Sequence, residues 1–333
     1  YDISKKAGVS IATVSRVLNG SENVRPSTRK KVMDVIDKYD YTPNAFARGM
    51  GLHSLKTIGI LCADSSDLFL AKAVYFLEQE LQANGYESLL CCTGYNPDIK
   101  KNYLNLILSK KVDSIILVGS HFIGFNEDEN QYIKDVSTQV PIMLLNASFD
   151  HPNVYSTLCD DYGTMFEAAT EMIQSGITDI LYLYDSKSYS GLKKLHGFCD
   201  AMKEHNIPGF EKLIHFYDGN IEHLNEVADF VARIATKGTS FHGIMTSDDS
   251  LAIGSIKYAQ KKGIRIPKEL SVMGYNNSML TNCCTPELTS VDNRLETLTH
   301  QLVQTLLGVL AGEEMPKKSI FSGKIIKRGT TLF

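Results

Sequence analysis

The amino-acid sequence predicts an α/β protein: a small three-helix head built around a helix-turn-helix, then a much larger body of two doubly wound α/β lobes. Three observations predict it. Up to about Tyr39, short helical periods are separated by turn residues, and from Thr57 onward short apolar runs alternate with amphipathic helical segments. Charge changes sign where the two regimes meet. Tyr1 to Thr57 carry ten Lys/Arg against five Asp/Glu, which is +5, while the remainder carries 24 basic and 33 acidic residues, which is −9.

The head reads element by element. Asp2-Ile3-Ser4-Lys5-Lys6-Ala7 is a short amphipathic helix that ends at Gly8, where the missing side chain lets the backbone turn. Ser10 caps a second helix, Ile11 to Leu18, in which Val14, Val17 and Leu18 have core spacing. Ile11, Ala12, Thr13, Ser15 and Arg16 are left on its outer, N-terminal part, the part that enters a major groove in a helix-turn-helix. A third helix runs from Ser27 to about Tyr39, with Val32, Val35 and Ile36 inward and Arg29, Lys30 and Lys31 outward. Standing alone, such a hairpin is as often part of an ordinary helical bundle; the adjoining positive charge favours duplex nucleic acid.

In the body, strands are expected at Ile58–Cys62, Ser88–Cys92 and near 114–118, 141–145, 180–184, 242–246 and 271–275. The helix from about Asp67 to Ala83 puts Leu70, Val74, Leu77 and Leu81 on one face, and Gly85, Gly176 and Gly263 stop helices. Near-continuous apolar runs are what parallel strands buried on both faces look like, and there are more of them than one small sheet needs. The runs end in polar residues: Asp64, Thr93, Ser120, Asn146, Asp185, Asp248 and Asn276. Ligands of open parallel sheets bind outside the carboxyl ends of the strands, so a polar-rimmed cleft between the lobes is expected, with about half of these residues merely capping helices.

Composition excludes other classes. No apolar run approaches the roughly 20 residues of a membrane helix and no charged-then-apolar leader is present, so a cytoplasmic protein is expected. Seven cysteines, with no Cys-x-x-Cys, read as reduced and mostly buried. Dinucleotide, phosphate-loop, nucleophile-elbow and zinc-protease motifs are all missing, and Asp248-Asp249, adjacent on an incipient helix, point apart instead of forming a catalytic pair. Neither enzyme chemistry nor a cofactor or metal is expected.

The head, the segment Tyr41-Thr42-Pro43-Asn44-Ala45-Phe46-Ala47-Arg48, and the stretches Ser247-Asp248-Asp249-Ser250-Leu251-Ala252-Ile253-Gly254 and Gly274-Tyr275-Asn276-Asn277 together resemble the lactose/galactose repressor family, closest to its galactose-repressor and catabolite-control branch. The resemblance implies a transcriptional regulator, most often a repressor. It would bind a pseudo-palindromic DNA operator as a homodimer, with a periplasmic-binding-protein-like body holding a small effector such as a sugar or related metabolite. It implies a head over 1–43, a hinge helix and linker over 44–56 and a body over 57–333, the first lobe taking about 57–158 and 291–318 and the second about 159–290 and 319–333.

Residue by residue, Ile11, Ala12 and Arg16 match the base-reading positions, and Thr13, Ser15, Asn19 and Arg29 the phosphate or positioning contacts. Asn44, Ala47 and Met50 fall in the hinge helix, with Met50 where the family carries the leucine that wedges between central base pairs. Gly49 and Gly51 each weaken that helix by about 1 kcal/mol, as fits a segment that orders on DNA. Asn146, Lys194, Asp248 and Asn276 match sugar-contacting positions, beside Asp64 at the rim and an apolar wall of Leu68 and Phe69. Two departures weaken the clamp on sugar hydroxyls, since the usual arginine is Lys194 and the usual aspartate is Asn276. Catabolite-control regulators also carry a lysine there and answer to a phosphorylated partner protein, so a protein co-regulator is the alternative signal. A further alternative, from another class, is a solute-binding protein or sugar-processing enzyme with a basic N-terminal extension. No leucine heptad follows Thr331, so a dimer is expected over a tetramer, and Tyr1 is expected to be preceded by a few residues.

Overall fold

The computed structural model describes residues 2–18, 21, 23–39, 54–236 and 238–333. Helices α1 (Asp2–Ala7), α2 (Ile11–Leu18) and α3 (Pro26–Lys38) close a small core of Ile3, Ala7, Val14, Val17, Val32 and Ile36. Gly8, at φ +60°, makes the turn after α1 in the left-handed region that glycine adopts at no steric cost. Pro26 opens α3, where its missing N–H is no loss. Val14, Val17, Val32 and Ile36 are among the side chains whose spacing marked the inner faces; Leu18 and Val35 are half-buried beside them, and Ile3 and Ala7 of α1 complete the core.

The body contains two six-stranded sheets. The first is wholly parallel: β1 (Thr57–Cys62), β2 (Glu87–Cys92), β3 (Ser114–Val118), β4 (Ile142–Leu145), β5 (Val154–Cys159) and β11 (Lys318–Phe321), in the order β11-β5-β4-β3-β1-β2. The second contains β6 (Ile180–Tyr184), β7 (Ile214–Phe216), β8 (Gly243–Thr246), β9 (Ser271–Tyr275), β10 (Thr289–Asp292) and β12 (Lys324–Ile326), in the order β12-β10-β9-β8-β6-β7. Only the β10–β12 pairing in it is antiparallel.

Helices cover both faces of each sheet, as a parallel sheet requires. On the first sheet, α4 (Leu68–Ala83) and α11 (Leu295–Leu310) bury one face through Leu70, Leu77, Leu81, Leu298, Leu302 and Leu306, while α5 (Pro97–Ser109) and α6 (Gln131–Ser137) cover the other. On the second, α9 (Leu224–Thr236) and α10 (Asp249–Lys262) cover one face, and α7 (Asp161–Gln174) and α8 (Tyr189–Glu204) the other. The chain passes between sheets three times, after β5, between β10 and α11, and between β11 and β12. The return to the second sheet comes after Phe321.

In both sheets the strand order reverses once, beside β1 and β3 in the first and beside β6 and β8 in the second. These are the points at which chain direction leaves a crevice at the carboxyl ends of the strands. The cysteines correct the expectation of general burial: Cys62 and Cys159 are buried, but Cys92 and Cys283 are exposed and the other three half-buried. Cys91 and Cys92 lie on the edge strand β2, and Cys283 and Cys284 follow a short 3-10 turn, so neither pair has sheet or helix on all sides.

Candidate nucleic-acid interface and effector cleft

Ser10 starts α2 by accepting a hydrogen bond from the Thr13 amide at 3.2 Å, and the two hydroxyls lie 2.9 Å apart. With Val14 and Val17 turned to the core, Ile11 stands 52% exposed, Ala12 and Arg16 are exposed, and Thr13 and Ser15 are half-exposed. An isoleucine in water at the N-terminal end of this amphipathic helix contributes nothing to the head's own core. Arg29 departs from the expected outward, phosphate-facing role. It is half-buried, and its guanidinium donates to the carbonyls of Val17 at 3.4 Å and Ser21 at 2.5 Å, supplying donors that the end of α2 lacks. Lys5, Lys6, Lys30 and Lys31 remain exposed. Asn19, Asn44, Ala47 and Met50 lie outside the described residues.

The body holds a cleft of two joined compartments at the carboxyl ends of the switch-point strands. The outer one, about 670 Å³, contains Asp64, Leu68 and Asp248 in its walls; the inner one, about 90 Å³, contains Phe69, Asn146, Lys194, Asp248 and Asn276. All seven residues singled out in the sequence thus reach the cleft. Leu68 is exposed at the mouth, whereas Phe69 also packs on the first lobe's core, so both readings of that residue hold.

Local geometry explains the residue types. Asn146 and Asn276 end strands at φ +60° and +95°, where asparagine is tolerated better than most residues with a Cβ. Asp248 caps α10, accepting from the Ser250 amide at 2.7 Å, and Asn276 Nδ2 donates to its other oxygen at 2.9 Å. Asn293 Nδ2 in turn donates to Asn276 Oδ1 at 3.0 Å, so one of the two departures from the family pattern, Asn276, sits in a fixed amide–carboxylate chain. Lys194 is buried, donates from Nζ to the Ser247 carbonyl at 3.0 Å and lies 4.0 Å from the Tyr275 ring centroid. Much of its charge therefore serves the lobe's interior, where Tyr275 also donates to buried Asp161 at 2.7 Å. Gly191 lets the start of α8 approach Ser186, because an added Cβ would collide with the Ser186 carbonyl.

Sequence reasoning missed other cleft residues. Asp67 caps α4 through the Leu70 amide at 2.8 Å, His121 and Tyr95 form one wall, and the 217–222 loop forms another. Asp67 and His121 belong to helix starts, and the loop has no periodicity to mark it. Asp185, noted only as a strand end, accepts from Ser247 Oγ at 2.8 Å inside the cleft, whereas Thr93, another strand end, donates to the Gly94 carbonyl at 2.8 Å and is absent from the lining of either compartment. Asp249 turns away, as adjacency predicted, and accepts from Ser290 Oγ and the Ser278 amide, both at 2.6 Å.

Burial raises the carboxyl pKa values of Asp67 and Asp248, and repulsion from neighbouring carboxylates adds to it; the same causes push Asp249 up to about 7. Burial, helped by the Lys100 ammonium, lowers His121 from 6.5 to about 4. A histidine lowered on folding withholds a proton that the unfolded chain binds. Its stabilisation is therefore complete above about 6.5 and is lost as pH falls towards about 4. Thermal unfolding of a His121→Phe variant should lose less stability than the parent across that window. An identical pH profile would assign the acid sensitivity to other groups.

Among the described residues no cluster of His, Cys, Asp or Glu could hold a metal ion, and no helix is long and apolar enough to cross a membrane. A basic helix-turn-helix joined to a two-lobed body with a ligand-sized cleft defines a DNA-binding regulator with a built-in sensor. The comparisons with known proteins agree. Residues 1–44 match the model of bacterial regulatory proteins of the lacI family, and residues 169–331 that of a periplasmic binding protein-like domain. The chain is 50% identical over 333 residues, 100% of its length and 99% of the relative's, to an HTH-type transcriptional regulator of Lachnoclostridium phytofermentans. It is 32% identical over 298 residues, 87% of this chain and 86% of the relative, to catabolite control protein A of Priestia megaterium. Its fold superposes with TM-score 0.88 and 20% identity on the lac repressor dimer bound to operator and the anti-inducer ONPF, covering 100% of this chain and 98% of that one.

The chain belongs to the lacI family of transcriptional regulators and is not an enzyme. Regulators of this family bind operator DNA and a sugar or metabolite effector and act as dimers.

Proposed function

We propose that two copies of this chain hold a pseudo-palindromic operator, with Ile11, Ala12 and Arg16 at the base edges of each half-site and Thr13 and Ser15 positioning the helix on the backbone. One observation carries the reading: the outer edge of α2 is exposed, Ile11 included, in an N-terminal region, Tyr1 to Thr57, of net charge +5 on an acidic body. Asn44, Ala47 and Met50 form the hinge segment between head and body, with Met50 as the wedge at the central base step. The protein works in the cytoplasm as a repressor, and dimerisation covers the edge strand β2, where Leu89 and Leu90 are exposed. An effector in the cleft shifts the population of lobe arrangements and so the spacing of the paired hinge segments.

Selection of duplexes from a random pool, followed by fluorescence anisotropy, tests this. A recovered duplex should bind far more tightly than random competitor, with affinity falling steeply as salt rises. Equal binding of every duplex at moderate ionic strength sinks the proposal. A second reading takes its support from Lys194, whose ammonium is directed to the Ser247 carbonyl. In it the cleft grips its ligand weakly and a partner protein carries the signal, and co-purification of such a protein with the operator complex would favour it.

A further inference from the structure

We propose that Cys62 and Cys92 are a redox site: a peroxide joins them in a disulfide that pins the first-lobe lip of the cleft, so that the regulator answers to oxidant as well as to its effector. The last clause rests on the reading of the chain as an operator-binding regulator.

Position carries the pairing. Cys62 and Cys92 face each other as the final rung of the β1–β2 ladder, and their sulfurs lie 3.7 Å apart. Neighbouring strands stand about 4.8 Å apart, within the span that a disulfide bridges. Cys91 takes the opposite face and packs on the other side of the sheet, so it does not compete for Cys62. One thiol is sealed in the core and the other is exposed on the edge strand. That division suits a sensing pair, in which Cys92 meets the oxidant and Cys62 resolves the product. Burial first, then the hydrogen bond and charge of Cys92, push the Cys62 thiol up to about 12, so Cys62 keeps its proton while Cys92 reacts.

Beyond this rung both strands run directly into the cleft. The Thr93 amide donates to the Cys62 carbonyl at 2.9 Å and the Gly94 amide to the Ala63 carbonyl at 2.8 Å. Asp64 then enters the wall from β1 and Tyr95 from β2, the Tyr95 ring lying 4.8 Å from that of His121. A disulfide beneath the lip would close a covalent loop around α4, whose capping Asp67 and first residue Leu68 line the same compartment. In an intracellular protein such a bond is transient, as a signal requires.

The chemistry balances with a peroxide as oxidant. The Cys92 thiolate attacks one oxygen of hydrogen peroxide, the O–O bond breaks, and the departing hydroxide takes up the proton that Cys92 had released. Cys92 is now a neutral sulfenic acid, and its charge no longer opposes ionisation of Cys62. The Cys62 sulfur attacks the Cys92 sulfur, the S–O bond breaks, and the hydroxyl leaves as water with the Cys62 proton. Two thiols are oxidised to one disulfide and one peroxide is reduced to two waters.

Treatment of the full chain with stoichiometric hydrogen peroxide tests this. Two of its seven thiols should be lost, non-reducing peptide mapping should join Cys62 to Cys92, and hydrogen exchange of the 93–96 amides should slow. Affinity for the selected duplex should shift at least about fivefold and return with dithiothreitol. Cys92→Ser should abolish both the bond and the shift, whereas Cys283→Ser, which removes another exposed thiol, should leave both. A different pairing, oxidation of Cys92 without a bond, or the same shift in Cys92→Ser overturns the proposal, as does a mapped bond with operator affinity unmoved. A reduced protein that selects no duplex removes the regulator reading, and with it the operator half of the proposal, while the bond and the exchange are still read without DNA.

Discussion

Arg16→Ala should cost the protein about 1–3 kcal/mol of operator affinity, roughly five- to 150-fold, and should relax preference at one base position in each half-site. The reason is geometric. Arg16 is exposed on α2 while Val14 and Val17, on either side of it, seal the core, so truncation removes a donor fork from the interface and nothing from the head's packing. Anisotropy against the selected duplex and its single-base variants measures both effects, with circular dichroism confirming the unchanged head. Unaltered affinity and unaltered preference would mean that α2 does not read the bases. A uniform loss over all sequences, with a shallower salt dependence, would demote Arg16 to a phosphate contact.

Lys194→Met should lower the unfolding free energy by about 3–5 kcal/mol, because the ammonium is a buried countercharge and not merely a ligand contact. Burial already pushes the Asp161 carboxyl up, and Lys194 is the largest influence holding it down; Asp248 feels the same cation. Removing it leaves the Ser247 carbonyl without its donor and takes the nearby cation from two enclosed carboxyls. Urea unfolding of the variant should show an earlier midpoint with an unchanged slope. A midpoint equal to the parent's would mean that the charge acts only on what enters the cleft.

These two residues also mark what was legible in the sequence. The outward edge of α2 could be read because a helix with Val14 and Val17 inward has only one way to face, and a small module leaves no second layer to hide the rest. Lys194 was legible as a cleft residue only through resemblance, and its carbonyl and ring partners depend on β8 and β9 lying beside α8, which no local pattern reports. The strands follow the same rule. β1, β3, β4, β6, β8 and β9 are central, buried on both faces and read as unbroken apolar runs. β7, β11 and β12 are short edge strands with charged or exposed residues, and β5 and β10 carry serine and threonine, so periodicity gave no sign of them.

Strand ends located Asp64, Asn146, Asp248 and Asn276 because parallel sheets aim their carboxyl ends at one crevice. The same rule overreached at Thr93, whose hydroxyl closes a turn, and it could not find Tyr95 or the 217–222 loop, which tertiary folding alone brings to the cleft. Arg29 shows the opposite failure. Its charge fitted a phosphate contact, but the unpaired carbonyls at the end of α2 offered a nearer partner.

Neither lobe is a continuous stretch of polypeptide. The first sheet is finished by β11 and roofed by α11, both made long after β5, and the second sheet takes its last strand after that. A ribosome delivering this chain therefore exposes an incomplete first lobe, with the apolar wall later covered by Leu298, Leu302 and Leu306 still open, until nearly the whole sensor has emerged. The DNA-reading head, whose core draws only on the first few dozen residues, can fold well before it has a controller attached. A prematurely terminated product would accordingly carry a competent reader and an uncovered, aggregation-prone remnant, and no cut in the chain could separate the lobes as two intact pieces.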